Sequence, residues 1–425
     1  MRKRLMAPAL AVIHFAICAA ICGGVPAGAQ TALSWEQVKA KFETANPTLR
    51  AGQLNISESK TLETTAYLKP NPSMTVSVDQ FAPFGGNPYR PLGSLLPFAS
   101  MDYLHERQHK RELRLESAQQ GTGIAETQQL DLERTMLFTL RSAFVQTLQA
   151  KQLLLQAQAN LDYYNKELAI FRSRLQSGGI ARVDLDRMVL QRVQYESDYQ
   201  GALTNARTAK ITLRMMLNEQ TPVDQFDVTG PFEFKEQVMA LEEFRGIAEA
   251  ARPDLKAAVQ AIEKARTDHK LAVANGSTDP TFGVDFARNP PIPLYMGVSV
   301  NIPLRIFDRN QGEKARTEID IAHAERQKDA AAAQVFSDVD SAYFTLISSL
   351  NLLKPYQGAD GYLATATRVR DTMSFSYLRG AASLVDYLDA QRDYRTTVVA
   401  YINLTAAYLT AAGQLNLAVG REVVQ

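Results

Sequence analysis

The chain repeats itself, and that limits what it can fold into more than any local pattern does. Ala45-Asn-Pro-Thr-Leu-Arg-Ala51 returns as Ala251-Arg-Pro-Asp-Leu-Lys-Ala257, about 206 positions later. Pro72 returns as Pro280, Ser142-Ala-Phe144 as Ser341-Ala-Tyr343, and Gly178 and Asp184 as Gly380 and Asp386. Four matches in one order at nearly one spacing define an internal repeat, which has to be settled before other features are read. Each half reads as short helix, alternating apolar segment, long helix, glycine turn and helix. The resulting division is a first repeat over 30–220, a connector over 221–247 at the joint between stacked helices, and a second repeat over 248–425.

Residues 1–29 read as an export signal. Arg2, Lys3 and Arg4 are its charged start, Ala9 to Ile21 its apolar stretch, and Ala27-Gly-Ala29 its cleavage site. The apolar run is shorter than the ~20 residues a membrane span needs. Both cysteines, Cys18 and Cys22, lie within residues 1–29, each preceded by isoleucine rather than the small residue of a lipidation site. The rest of the chain therefore holds no disulfide and no thiolate metal site. Removing the signal takes the net charge from +1 to about −2, since three cations and no anions leave. Nucleic-acid binding wants a strongly basic face, so that class is excluded. No window after Gln30 has 18 uninterrupted apolar residues, so no transmembrane helix is expected. A β-barrel wall leaves a weaker signal and stays open.

Between Pro97 and Pro222 there is no proline. Leu154, Ala157, Leu161, Tyr164, Leu168, Phe171 and Leu175 recur at alternating steps of three and four, the seam of packed helices. One helix over about 112–175 would be roughly 95 Å long. Ser177-Gly-Gly179 turns the chain, and a second helix follows over about 183–217. In the second half a helix runs from Asn310-Gln-Gly312 to about Ser374, with a kink expected at Pro355. Tyr377-Leu-Arg-Gly380 turns the chain again, and the last helix covers about 384–418. The helices near 36–66 and 183–217 add up to roughly one long helix, as a chain needs if it descends in one rod and returns in two stacked shorter ones.

Two segments per half switch to period two. Met74, Val76 and Val78 alternate with Thr75, Ser77 and Asp79; Phe282, Val284 and Phe286 with Gly283 and Asp285; Met296, Val298 and Val300 with Gly297, Ser299 and Asn301. This pattern suits a barrel wall between lipid and water, and equally an ordinary sheet with one buried face. The return strand of the first hairpin, near Leu95 to Leu104, is poorly patterned. Four strands cannot close around a water-filled lumen, so several chains would have to share one barrel, most economically by cyclic closure.

Five segments carry a family resemblance: Leu33-Ser-Trp-Glu-Gln-Val with Asn46-Pro-Thr-Leu-Arg50, Pro70-Asn-Pro72, Arg252-Pro-Asp-Leu-Lys256, Ile306-Phe-Asp-Arg-Asn-Gln-Gly-Glu313 and Leu384-Val-Asp-Tyr-Leu-Asp-Ala-Gln-Arg392. In this order they resemble the TolC-like outer-membrane factor (outer membrane efflux protein) family, most closely its heavy-metal-efflux, CzcC-like branch. The resemblance implies a mainly α fold with a membrane β-barrel portion. It implies a homotrimer with a twelve-stranded barrel in outer-membrane lipid and a long periplasmic helical barrel, in a Gram-negative bacterium. Partners would be a periplasmic adaptor (membrane fusion) protein and an inner-membrane pump of the resistance-nodulation-division (RND) class. His105-Glu-Arg-Gln-His-Lys-Arg111 departs from the branch's usual entry to the long helix, which leaves the end of the first hairpin open.

Site residues follow from the same resemblance. Asp386 and Asp389 match two aspartates that ring the periplasmic constriction in relatives; six carboxylates from three chains would attract cations and repel anions. Two solvated acids at a helix N-terminus, favoured by its dipole, are the plainer reading. Asp184 and Tyr377 match a pair linking neighbouring coiled coils in the closed state, while a second family link is absent because Ala382 replaces its arginine. The small tip residues Gly178, Gly179, Gly380 and Ala381 suit an adaptor contact, and the glycines also suit turns. Tyr387, Tyr394, Tyr401 and Tyr408 fall seven apart and are read as packing seam rather than lumen lining. Histidines 105, 109, 269 and 323 form no metal-ligand motif, and no cofactor is implied. No nucleophile elbow, phosphate loop or dinucleotide fingerprint appears, so an enzyme is not expected. The function expected is a passive, gated duct carrying heavy-metal cations from pump and adaptor to the exterior. Alternatives are a duct for drug efflux or type I protein secretion, a periplasmic coiled-coil adaptor, or a structural protein.

Overall fold

The computed structural model describes residues 32–80, 95–235, 238–289 and 291–424. The export signal expected over 1–29 lies outside them. The first half runs α1 (Trp35–Ala45), α2 (Pro47–Tyr67), β1 (Ser73–Asp79), β2 (Leu96–Leu104), α3 (Lys110–Gln176) and α4 (Arg182–Met216). The second runs α5 (Leu241–Ala251), α6 (Pro253–Asn275), β3 (Thr281–Asn289), β4 (Ile292–Asn301), α7 (Gln311–Leu353), α8 (Tyr362–Leu378) and α9 (Leu384–Val419). The two halves share one element order except that α7 and α8 stand where α3 is continuous. α5 crosses the boundary placed at 247/248.

With 67 residues, α3 is about 100 Å long. Gly121 and Gly123 do not interrupt it, because tertiary packing outweighs their low propensity: Thr127 beside them hydrogen-bonds Gln260 of α6 at 2.8 Å. Residues 36–66 are two helices, not one stretch. Ser34 and Gln37 form a capping box that starts α1, and Asn46 ends it and caps α2. The Asn46 amide also donates to the carbonyl of Met216 at the end of α4, at 3.0 Å. α2 thus stacks on α4, while α1 lies beside the joint with Val38 and Phe42 buried against Leu213, Leu217 and Val228. The stack is therefore α2 with α4, shorter than the length match expected from the sequence.

The second half builds the same joint with different chemistry. Arg252, before Pro253, donates to the carbonyl of Ala418 at the end of α9 (3.1 Å) and to Asp338 of α7 (2.8 Å) and Asp254 (2.5 and 2.9 Å). Around it, Phe244, Val339, Leu346, Tyr408 and Leu415 form the main core. Burial alone would raise the Asp254 pKa, but the Arg252 hydrogen bonds and the Arg252 and Arg134 charges hold it below the usual carboxylate range. Among the described helices, α9 alone is long and apolar enough to cross a membrane; half of that window is buried, which marks a core helix.

The kink expected at Pro355 is a complete break. α7 ends in a 3-10 turn at Lys354–Tyr356, and Gly358 at φ 87° keeps the chain out of helix before α8. Proline removes a backbone donor and crowds the preceding turn, and Gly358 and Gly361 then prevent the helix from resuming at once.

The four strands form one antiparallel sheet in the order β1-β2-β3-β4. The poorly patterned return strand is present as β2, in register from Ser73↔Asp102 to Asp79↔Leu96. One face carries Met74, Val76, Met101, Val284, Met296 and Val298, all exposed. The other carries Thr75, Ser77, Ser100, Asp102, Asp285 and Ser299. Gly283 and Gly297 lie on this polar face, and a Cβ at Gly297 would come within 2.6 Å of the Asp285 carboxylate. At the foot of the sheet the ambiguous 105–111 run settles into a turn, in which Lys110, buried, pairs with Asp279 at 2.6 Å and starts α3.

Arg252→Ala removes a buried cation that satisfies two carboxylates and a helix-end carbonyl. It is expected to cost on the order of 3–5 kcal/mol, measured by denaturant unfolding of the detergent-solubilised protein. Because the folded Asp254 pKa is depressed, its contribution is complete above the unfolded value near ~4 and is lost as pH falls through the folded value. Wild type should lose stability on acidification below about pH 4, and Asp254→Asn should flatten that slope.

Candidate functional site: the helical tip

Far from the sheet, α3 turns into α4 and α8 into α9. Gly178 and Gly380 both take left-handed conformations, φ 75° and 78°, so a β-carbon at either would be strained. Gly178, Gly179, Gly380 and Ala381 are all exposed, as a surface for a partner requires.

The two hairpins are joined by an aromatic stack. Tyr377 lies against Phe171 (centroids 5.3 Å, planes 11° apart) and against Tyr387 (5.3 Å, 28°). Tyr164 stacks on Tyr195 at 4.5 Å and donates its hydroxyl to the Met188 carbonyl at 3.1 Å. The Arg174 guanidinium donates to the Leu378 carbonyl, tying the two turns together. Burial chiefly, and the Asp184 charge secondarily, push the Tyr377 phenol up. Asp184 is thus near Tyr377, with no hydrogen bond between them within the chain.

Asp386 and Asp389 sit in the first two turns of α9, both exposed. Asp386 completes a capping box with Ser383: its carboxylate accepts from the Ser383 hydroxyl (2.7 Å) and amide (3.2 Å), and its own amide donates to Ser383 Oγ (3.2 Å). The helix-terminus role is therefore real for Asp386 and leaves one carboxylate oxygen free. Asp389 pairs with Arg392 at 3.2 Å, in a largely exposed bridge that salt and solvent weaken.

The tyrosine ladder is packing along its whole length. Tyr387 and Tyr408 are fully buried, Tyr394 lies under the Arg370 guanidinium at 4.0 Å, and Tyr401 meets Tyr356 at 5.9 Å. Among the described residues no group of acids and histidines is arranged to hold a metal. His105 lies in the turn after β2 and His109 precedes α3, so the pair does not share a helix face.

Sequence reasoning missed Glu167. It is buried (7% exposed) among the aromatics and accepts the Tyr387 hydroxyl at 3.2 Å. Burial first, and the Glu167 charge second, drive the Tyr387 phenol strongly upward. Glu167 adjoins the Leu168 seam position, and nothing local distinguishes it from solvated flanking acids such as Asp162. Its burial is supplied by α9, more than two hundred residues away.

Known proteins relate to this chain as follows. Residues 292–421 match the family model described as outer membrane efflux protein. No curated protein matches the sequence. The fold is similar to that of CusC, with a TM-score of 0.76 and 16% identity over 91% of this chain and 92% of that one. It is also similar to the open-state MtrE outer membrane channel of Neisseria gonorrhoeae (0.74; 16%; 92% and 89%) and to the outer membrane protein VceC of Vibrio cholerae (0.72; 14%; 91% and 96%). The matched family is one of efflux proteins, and CusC and MtrE are described as channels, none of them as enzymes. The chain therefore has the fold of outer membrane channels, and its C-terminal third carries the sequence pattern of the outer membrane efflux proteins.

Proposed function

We propose that this chain is one subunit of a passive outer-membrane duct in a tripartite efflux pump. The observation that carries this reading is a sheet with one uncovered apolar face and one polar face, standing at the end of a helix about 100 Å long. No described helix covers the apolar face, so lipid is its natural solvent. Among the described residues β1 and β4 each have one unpaired edge, and open edges in a membrane must be closed by other strands. Three copies would supply twelve strands. The exposed glycine tips would then meet a periplasmic adaptor, which links the duct to an inner-membrane RND pump.

Asp386 and Asp389 are the gate in this reading. They are the exposed carboxylates on the first turns of the tip helix, and a ring of them at a narrow mouth would favour cations. Asp184 and Tyr377 are the link holding neighbouring coiled coils when the mouth is closed. The cargo proposed is a heavy-metal cation, on the strength of the branch resemblance and the exposed carboxylates of Asp386 and Asp389.

The gate is tested with Asp386→Asn and Asp389→Asn together, which removes charge while an amide still accepts the capping hydrogen bond. In planar bilayers the double variant is expected to show higher conductance and at least about tenfold weaker block by trivalent cations; unchanged block would remove the gate assignment. The duct itself is tested by fractionation: the protein should leave membranes only with detergent, whereas recovery in the aqueous fraction favours a periplasmic structural or adaptor role. A deletion strain sensitised to cobalt, zinc, cadmium or copper supports the metal cargo. Sensitivity to organic compounds alone, or loss of a secreted protein, assigns the duct to drug efflux or type I secretion.

A further inference from the structure

The broken segment of the second repeat and an unexplained glycine of the first lie at nearly the same height on opposite edges of the chain. Below the joints, α3 packs on α4 and α9, and α9 packs on α7 and α8. The lateral order is thus α4, α3, α9, then α7 with α8, which leaves α4 and α7–α8 as open edges. Toward α3, α4 buries Leu185, Met188 and Tyr195. On its opposite face Leu190, Val193 and Met215 are 72%, 60% and 72% exposed. The other edge exposes Phe344, Leu352 and Val369 by 62%, 55% and 42%.

The heights of the two edges are tied through α9. Asp198 of α4 pairs with Arg395 of α9 at 2.7 Å. Counting upward from that pair at ~1.5 Å per residue, Gly201 stands about 4.5 Å above it, and Tyr401, which meets Tyr356 of the other edge at 5.9 Å, about 9 Å above it. Contiguous exposed apolar rows mark interaction surfaces. Apolar rows on opposite edges fit a head-to-tail contact between copies of one chain, which closes into a ring when the rotation allows.

Gly201 sits within the α4 row, three helical turns from Leu190 and about 28 Å above the tip. Glycine is a poor choice in mid-helix, and its own chain gives no reason for it. Its φ is not positive, and a Cβ there would meet no atom within 4 Å. It borders an open groove of about 680 Å³ between α4 and α9, lined also by Ala202, Asn205 and Gln156. On the other edge, Lys354 to Gly361 interrupts the helix at the level of Tyr401. Gln357, Gly358, Ala359 and Asp360 all project into solvent there. A bulge on one edge thus lies within about one helical turn of a missing side chain on the other.

We propose that the 354–361 segment of one copy seats on the Gly201 face of the next copy's α4 and sets the register between copies. This rests on the self-assembly in the proposed function but adds a contact which that reading does not require. Both natural cysteines lie within residues 1–29, so introduced pairs can be read without background. In the exported protein, without residues 1–29, in detergent, Gly201→Cys with Gln357→Cys is expected to oxidise to a disulfide-linked ladder ending at the trimer. Each single variant should stay monomeric on non-reducing gels, as should the height-mismatched pair Gly201→Cys with Phe344→Cys. Gly201→Leu, which meets no atom of its own chain, should leave the circular dichroism unchanged and weaken assembly at least about tenfold. An oligomer by light scattering that yields no 201–357 disulfide, or assembles undisturbed as Gly201→Leu, overturns the seat and leaves the duct standing. A detergent-solubilised wild type that is monomeric by light scattering overturns both.

Discussion

When one helix end is laid against another, unpaired amides and carbonyls face each other, and this chain meets that situation at both of its joints. The first four amides and last four carbonyls of any helix lack partners within it. At the first joint Asn46 serves both sides at once, accepting from the Thr48 and Leu49 amides and donating to the Met216 carbonyl. At the second, Arg252 donates to the Ala418 carbonyl while two carboxylates balance its charge. In each case proline follows directly and starts the upper helix with a residue that has no amide hydrogen to satisfy. Long α3 and interrupted α7–α8 run past these joints as splints, and the largest buried clusters gather around them. Without the joints, the short helices would have no fixed axis on which to return to the sheet.

At the other end of the rods, the sheet inverts the usual logic of a core. Its apolar side chains point away from every described element, while Asp102 and Asp285 share the opposite face with serines and glycines. In water such a sheet would expose a hydrophobic face and two unpaired edges, both of which promote association. In lipid the exposed face becomes favourable and only the edges remain to be closed. The glycines on the polar face fit this arrangement: a side chain at Gly297 would collide with the Asp285 carboxylate, and that face must leave space rather than fill it.

Much of this was legible because helices and strands differ in period and the repeat doubles every signal. The long α3 seam, the glycine turns and three of the four strands are written in spacing alone. β2 was hard to see because Pro97, Phe98 and Ala99 break its alternation; it is held by partners on both sides, which override local pattern. The stretch 36–66 looked like one helix because Asn46-Pro47 is compatible with both a kink and a joint, and only the contact to Met216 decides. The depth of the break at Pro355 depended on three residues acting together, each of which alone would permit a bend. At the tip, Asp386 was legible as a cap and as a gate from the same position, whereas the burial of Glu167 depends on α9 and had no local signature.

The tip shows which movements the proposed duct can use. Within one subunit the two hairpins share the Phe171–Tyr377–Tyr387 stack, the Glu167–Tyr387 hydrogen bond and the Arg174–Leu378 bond. Aromatic pairs add about 0.5–1.5 kcal/mol each beyond their buried area, and separating the hairpins would also strand a buried carboxylate. Between subunits the corresponding contacts would be exposed apolar rows and the Asp184–Tyr377 pair, and parting these leaves no buried carboxylate without a partner, since Asp184 is only half-buried. Opening by splitting one chain's hairpins would therefore break the strongest contacts first. Opening along the seams between chains breaks the weakest, so the hairpin pair of each subunit would move as one body, with the joints at Asn46 and Arg252 as the fixed level above it.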